Sequence, residues 1–156
     1  MNAIDAAKWI RFAEDDLVSA KKLIAPPNPQ WGTGAYHCQQ AAEKALKALL
    51  VLHEGRLQKK METHDIGLLL EKLAKYIGDA DDDLELKAEK LSQFSTIYRY
   101  PGLAPRPLTK DVVNKAITDA EVFLVKAKQL IAATENNGDD GGANSPPKNR
   151  GIGAPK

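Results

Sequence analysis

Ala35, Cys38, Ala42, Ala45, Leu49 and Leu52 recur at steps of three and four, the period of one face of an α-helix. Most of these side chains are small, so a neighbouring helix can approach closely. A chain carrying such a face must bury it against other helices, and this constrains the fold more than any other feature. The same stretch carries Gln40, Lys44 and Lys47, again at steps of four and three, which places them on one polar stripe. An ordinary core helix has no need of them.

Four more amphipathic segments surround this one, with no alternating strand pattern between them. The first, about Asp5 to Ile24, lines one face with Ile10, Ala13, Leu17, Ala20 and Ile24. Pro26, Pro27 and Pro29 end it. Trp31 is expected to anchor a flexible Gly32-Thr33-Gly34 loop, and the second helix to run from about Thr33 to Glu54, stopped by Gly55. After a polar connection, Arg56 to Glu62, Thr63 or Asp65 caps a third helix carrying Ile66, Leu69, Leu70, Leu73 and Ile77, closed by Gly78. The acidic run Asp79 to Asp83 suits the start of a fourth helix, Leu84 to Tyr98, where carboxylates complement the helix dipole. It lacks the alternation and central glycine of a calcium loop. Thr109 caps a fifth helix with Val112, Ala116, Ile117, Ala120, Phe123, Leu124, Ala127 and Ile131 along its stripe.

These segments predict an all-α, antiparallel four- or five-helix up-and-down bundle over residues 1–133. Residues 134–156 are rich in Asn, Gly, Asp and Pro, hold almost nothing to bury, and are expected to form a disordered tail. The formal charge is +1, from 22 basic and 21 acidic side chains, so whole-chain electrostatics supply no nucleic-acid footprint. A local basic patch would have to be argued from position. Cys38 is a lone cysteine within the apolar pattern, and reads as a small buried hydrophobe. No apolar run reaches the roughly 18 residues of a membrane span, and charged residues interrupt the amino end before a signal-peptide core forms. The expected location is cytoplasmic.

Three places exceed what a plain bundle requires. On the second helix, Glu43 and Lys47 form a favourable i,i+4 pair worth about 0.2–0.5 kcal/mol on an exposed face, but this leaves Gln40 unexplained; a solvated face and a binding or dimer surface both remain open. In Thr63-His64-Asp65 the histidine either completes a helix start or serves as a general base or phosphate ligand. In Tyr98-Arg99-Tyr100-Pro101 the arginine either sits at a helix carboxyl end or grips phosphate through its planar fork. Nucleophilic triads, zinc clusters and glycine-rich phosphate loops are missing from the sequence.

Trp9, Asp15-Asp16-Leu17, the run Tyr36 to Ala48, Thr63-His64-Asp65 and Arg99-Tyr100-Pro101 occur in that order. Together they resemble the HEPN domain, the "higher eukaryotes and prokaryotes nucleotide-binding" family, over roughly residues 5 to 131. The resemblance implies a small helical bundle that pairs as a homodimer. It also implies partnership with a separately encoded minimal nucleotidyltransferase in toxin–antitoxin-like pairs. Many members are metal-independent ribonucleases whose arginine is followed four to six residues later by a histidine. Here His37, His53 and His64 all precede Arg99 and Arg106, and Arg56 and His64 are separated by seven residues. Those catalytic residues therefore cannot be carried over.

The leading expectation is a dimeric module that binds a nucleotide, RNA or a nucleotidyltransferase partner without the usual ribonuclease motif. Gln40, Lys44, Lys47, Arg99, Tyr100 and His64 are the expected ligand-binding set, with no metal and no cofactor beyond a nucleotide ligand. Two alternatives stay open: a metal-independent ribonuclease using Arg99 and His64, and a purely structural helical interaction module.

Overall fold

The computed structural model describes residues 2–98, 100–103 and 106–139. The described residues form five α-helices and two short 3-10 turns, with no strand. The helices are α1 (Asn2–Leu23), α2 (Trp31–Glu54), α3 (Ile66–Ile77), α4 (Asp82–Ser92) and α5 (Lys110–Asp139). The all-α class and the helix order are those the sequence pattern predicts.

α2 is the central element and packs against each of the other four helices, most extensively against α1. The reason lies in the small-residue stripes. Ala6, Ala13 and Ala20 of α1 and Ala35, Cys38, Ala42 and Ala45 of α2 are fully buried. Larger side chains, among them Leu46, Leu49, Leu69, Leu73, Leu91 and Phe123, fill the space toward α3, α4 and α5. Phe123 alone is worth about 3–5 kcal/mol against truncation to alanine. Cys38 belongs to this core, and burial, helped by the nearby Glu121 charge, pushes its thiol up to about 12. It is therefore a packing residue rather than a nucleophile.

The caps follow simple chemistry. Asp65 Oδ1 accepts from the Leu68 amide at 3.1 Å, Asp81 Oδ1 from Leu84 at 2.8 Å, and Thr109 Oγ1 from Val112 at 3.3 Å. Gly55 ends α2 with φ +82°, a left-handed conformation that favours glycine. The chain from Gly55 to Asp65 then turns back along α2, burying Met61 on the way. His64 ends beside Gln39, while Tyr76 reaches Glu54, so α3 runs in the same sense as α2 and not antiparallel to it as the up-and-down expectation has it, because the connection from Gly55 to Asp65 first returns along α2.

Three helix boundaries and one position on a helix face differ from the sequence expectation. Trp31, Gly32 and Thr33 are the first turn of α2, not a flexible loop. The fourth helix stops at Ser92 instead of Tyr98. There the Ser92 hydroxyl donates to the Ala88 carbonyl at 2.8 Å and accepts from the Ile66 amide at 3.0 Å, and a 3-10 turn, Gln93–Ser95, follows. Such side-chain bonds compete with the regular helical ladder. On α5 the fully buried residue is Val113, whereas Val112 is exposed. α5 also continues past Thr134 to Asp139; the remainder of the expected tail, 140–156, lies outside the described residues.

Candidate functional site

The polar residues of α2 separate into two groups. In the first, Gln39, Glu43 and Lys47 are all buried, at 0, 3 and 6 % exposure. The Glu43 carboxylate is held by four donors. Lys47 Nζ lies 2.6 Å from Oε1; Gln39 Nε2 at 2.9 Å, His64 Nδ1 at 3.0 Å and Gln40 Nε2 at 3.1 Å converge on Oε2. Burial alone would raise the Glu43 carboxyl, but the hydrogen bonds from Lys47, His64 and Gln39 outweigh it and hold it below the ordinary glutamate value. The Glu43–Lys47 pair is thus interior, not the exposed helix pair its spacing suggests.

In the second group, Asp16 of α1 is shared between two residues of α2. Its Oδ1 lies 2.7 Å from His37 Nδ1 and its Oδ2 accepts from Lys44 Nζ at 2.6 Å. This joins α1 to α2 across the small-residue seam and fixes the His37 ring. Nδ1 faces the carboxylate, and His37 is among the residues that line an open cavity of about 950 Å³ at the amino end of α2.

Two proline-rich segments build that cavity. The first, ending at Pro29, delivers the chain into α2; the second, after α4, returns it toward α5 through Arg106, Pro107 and Leu108. Trp31, Tyr36 and Tyr98 supply aromatic walls, and Arg106 and His37 supply polar groups. The residue before α2, Gln30, makes no side-chain cap to the first turn, so the positive end of the helix dipole also borders the space. No carboxylate is among the described lining residues. An aromatic, cation-lined concavity of this size suits an anionic ligand that carries a ring.

The expected site residues fall differently. Gln40, Lys47 and His64 come together around Glu43, while Lys44 is committed to Asp16. None of these four lines the cavity beside Arg106. Tyr100 is exposed, and Arg99 lies outside the described residues. Tyr36, His37, Tyr98 and Arg106, which line the cavity, are not among the residues the sequence singles out as a ligand-binding set. The signal available was the pairing of two proline-rich segments, each next to aromatic and basic residues.

A protein-family model described as "HEPN domain" matches residues 6–130. The chain belongs to the HEPN domain family. Among solved structures, this HEPN chain is similar to TT1696 from Thermus thermophilus. The two share 27 % identity at a TM-score of 0.70, over 83 % of this chain and 98 % of that one. No curated protein matches the sequence. No helix among the described residues is long and apolar enough to cross a membrane.

Proposed function

We propose that this HEPN protein is a nucleotide- or RNA-binding module that acts as a homodimer, alone or beside a minimal nucleotidyltransferase in a toxin–antitoxin-like pair. The observation that carries the reading is the cavity at the amino end of α2. Arg106 offers a planar fork to phosphate, and the His37 ring, oriented by Asp16, adds a polar edge. Trp31, Tyr36 and Tyr98 present faces on which a base stacks, a contact worth about 1–3 kcal/mol per base. Binding rather than cleavage is the primary function because no histidine follows Arg99 or Arg106 in the sequence. The Gln40–Lys47 side of α2 serves chiefly to hold the scaffold that presents this cavity.

One observation favours a second reading, a divergent ribonuclease. The His64 side chain is 71 % exposed while its Nδ1 rests on buried Glu43, an arrangement in which a carboxylate orients an imidazole for proton transfer. In that case His64 would act as base, and Arg99 would stabilise the charge of the pentacoordinate phosphorus. The test is RNA cleavage in EDTA by wild type beside His64→Ala and Arg99→Ala. The binding reading predicts no cleavage by any of the three. Cleavage by wild type that either substitution abolishes would replace it with the ribonuclease.

A further inference from the structure

We infer that the ligand site continues past Tyr98 into a second compartment, so that the chain holds a single strand of at least two nucleotides rather than one mononucleotide. This rests on the nucleotide or RNA reading above. Tyr98 lines the cavity at the amino end of α2 and also a separate one of about 380 Å³ between α4 and α5. The ring is buttressed by Phe94, with centroids 5.5 Å apart and planes tilted 45°. Phe94 is itself buried and belongs to the core. Tyr98 is thus common to both cavities, and its ring is held by a buried neighbour.

The two compartments differ in chemistry. The first contains Arg106 and no carboxylate among its described lining residues, so it suits phosphate. The second is walled by Leu91, Phe94, Tyr98 and Ala116 and carries two carboxylates, Asp111 and Asp119, beside two ammonium groups, Lys90 and Lys115. Asp119 is buried and paired with Lys115; Asp111, in the first turn of α5, is exposed. Two ammonium groups balance the two carboxylates, so the lining has no net charge, and the exposed Asp111 carboxylate accepts hydrogen bonds from the amino groups at base edges. An aromatic slot with acceptors therefore takes a base, and prefers one bearing an exocyclic amine over uracil. The strand would pass Tyr98 with a phosphate on the Arg106 side and the next base on the Asp111 side.

Calorimetry with the full chain separates this inference from the reading beneath it. The ligands are adenosine 5′-monophosphate and the 5′-phosphorylated dinucleotides pApA and pUpU. The expected result is that pApA binds about tenfold or more tighter than the mononucleotide, the size of one additional stacked base, and tighter than pUpU. Tyr98→Ala should bring the pApA-to-mononucleotide ratio to about one, whereas Tyr98→Phe, which keeps the ring, should preserve it. Asp111→Asn, at an exposed position, should narrow the ratio of pApA to pUpU. Equal affinity for mononucleotide and dinucleotide, a gain that survives Tyr98→Ala, or a base preference indifferent to Asp111→Asn would overturn the second compartment while leaving the nucleotide reading intact. Absence of binding by all three ligands and by longer single-stranded RNA would overturn both.

Discussion

Glu43 gathers four hydrogen-bond donors because a carboxylate at 3 % exposure has no water to satisfy it. Removing it strands Lys47, whose side chain is nearly as buried. Glu43→Ala should therefore cost about 3–5 kcal/mol. Lys44→Ala leaves Asp16 in contact with His37 and removes a partly exposed ammonium, so it should cost about 1 kcal/mol or less. Urea unfolding of the two variants measures the difference. Acid stability follows from the same carboxylate. Its folded value lies below the unfolded one, ordinarily near 4.5, so the folded protein binds fewer protons there. The contribution is complete above the ordinary glutamate range and is lost as the pH falls through the lower folded value. Glu43→Gln should flatten that part of the stability–pH curve, which thermal melts between neutral and acidic pH would reveal. Spacing alone put Glu43 and Lys47 on adjacent turns. Their burial depends on the chain returning over α2 between Gly55 and Asp65, a non-local event that no helical period encodes.

The start of α2 shows how one element sets the geometry of its neighbours. A Cβ on Gly34 would lie 2.5 Å from Ile24 Cγ2 and 3.5 Å from the Ala20 carbonyl, so glycine here permits the close approach of α1 and α2. Alanine normally favours a helix interior by about 0.5–1 kcal/mol over glycine, but overpacking of this kind costs about 1–3 kcal/mol. Gly34→Ala should thus be net destabilising by about 1 kcal/mol. In an Ile24→Ala background the same change should become neutral or stabilising, a coupling that a double-mutant cycle reads directly. The helices were legible because their apolar stripes are long and their caps conventional: Asp65, Asp81, Thr109 and the left-handed Gly55. Boundaries were less legible where local signals competed. The Gly32-Thr33-Gly34 run resembles a loop in isolation, yet packing against α1 makes it helical. Ser92 ends α4 through a bond to Ile66 that the local sequence does not announce.

At the scale of the whole molecule, the α2-centred bundle brings two proline-rich segments together at one end. The second segment is announced by Tyr98-Arg99-Tyr100-Pro101, but nothing local ties it to the first, and this is why Arg106, His37 and Tyr98 were not legible in the sequence as a group. Family membership was legible, because the HEPN resemblance rests on side chains that pin α2 to its surroundings: Asp16, Gln39, Glu43, Lys44 and Lys47. The near-neutral total charge is compatible with ligand capture at a local concavity rather than along a broad basic face. The most direct test is a titration of labelled single-stranded RNA by fluorescence anisotropy, with wild type and Arg106→Ala, across a range of salt concentrations. Wild type should bind with an affinity that falls as salt rises. Arg106→Ala should bind about tenfold or more weakly with unchanged thermal stability, as expected for loss of a charged hydrogen bond to phosphate. RNA bound equally by both proteins, or by neither at any salt concentration, would contradict a phosphate site at the amino end of α2.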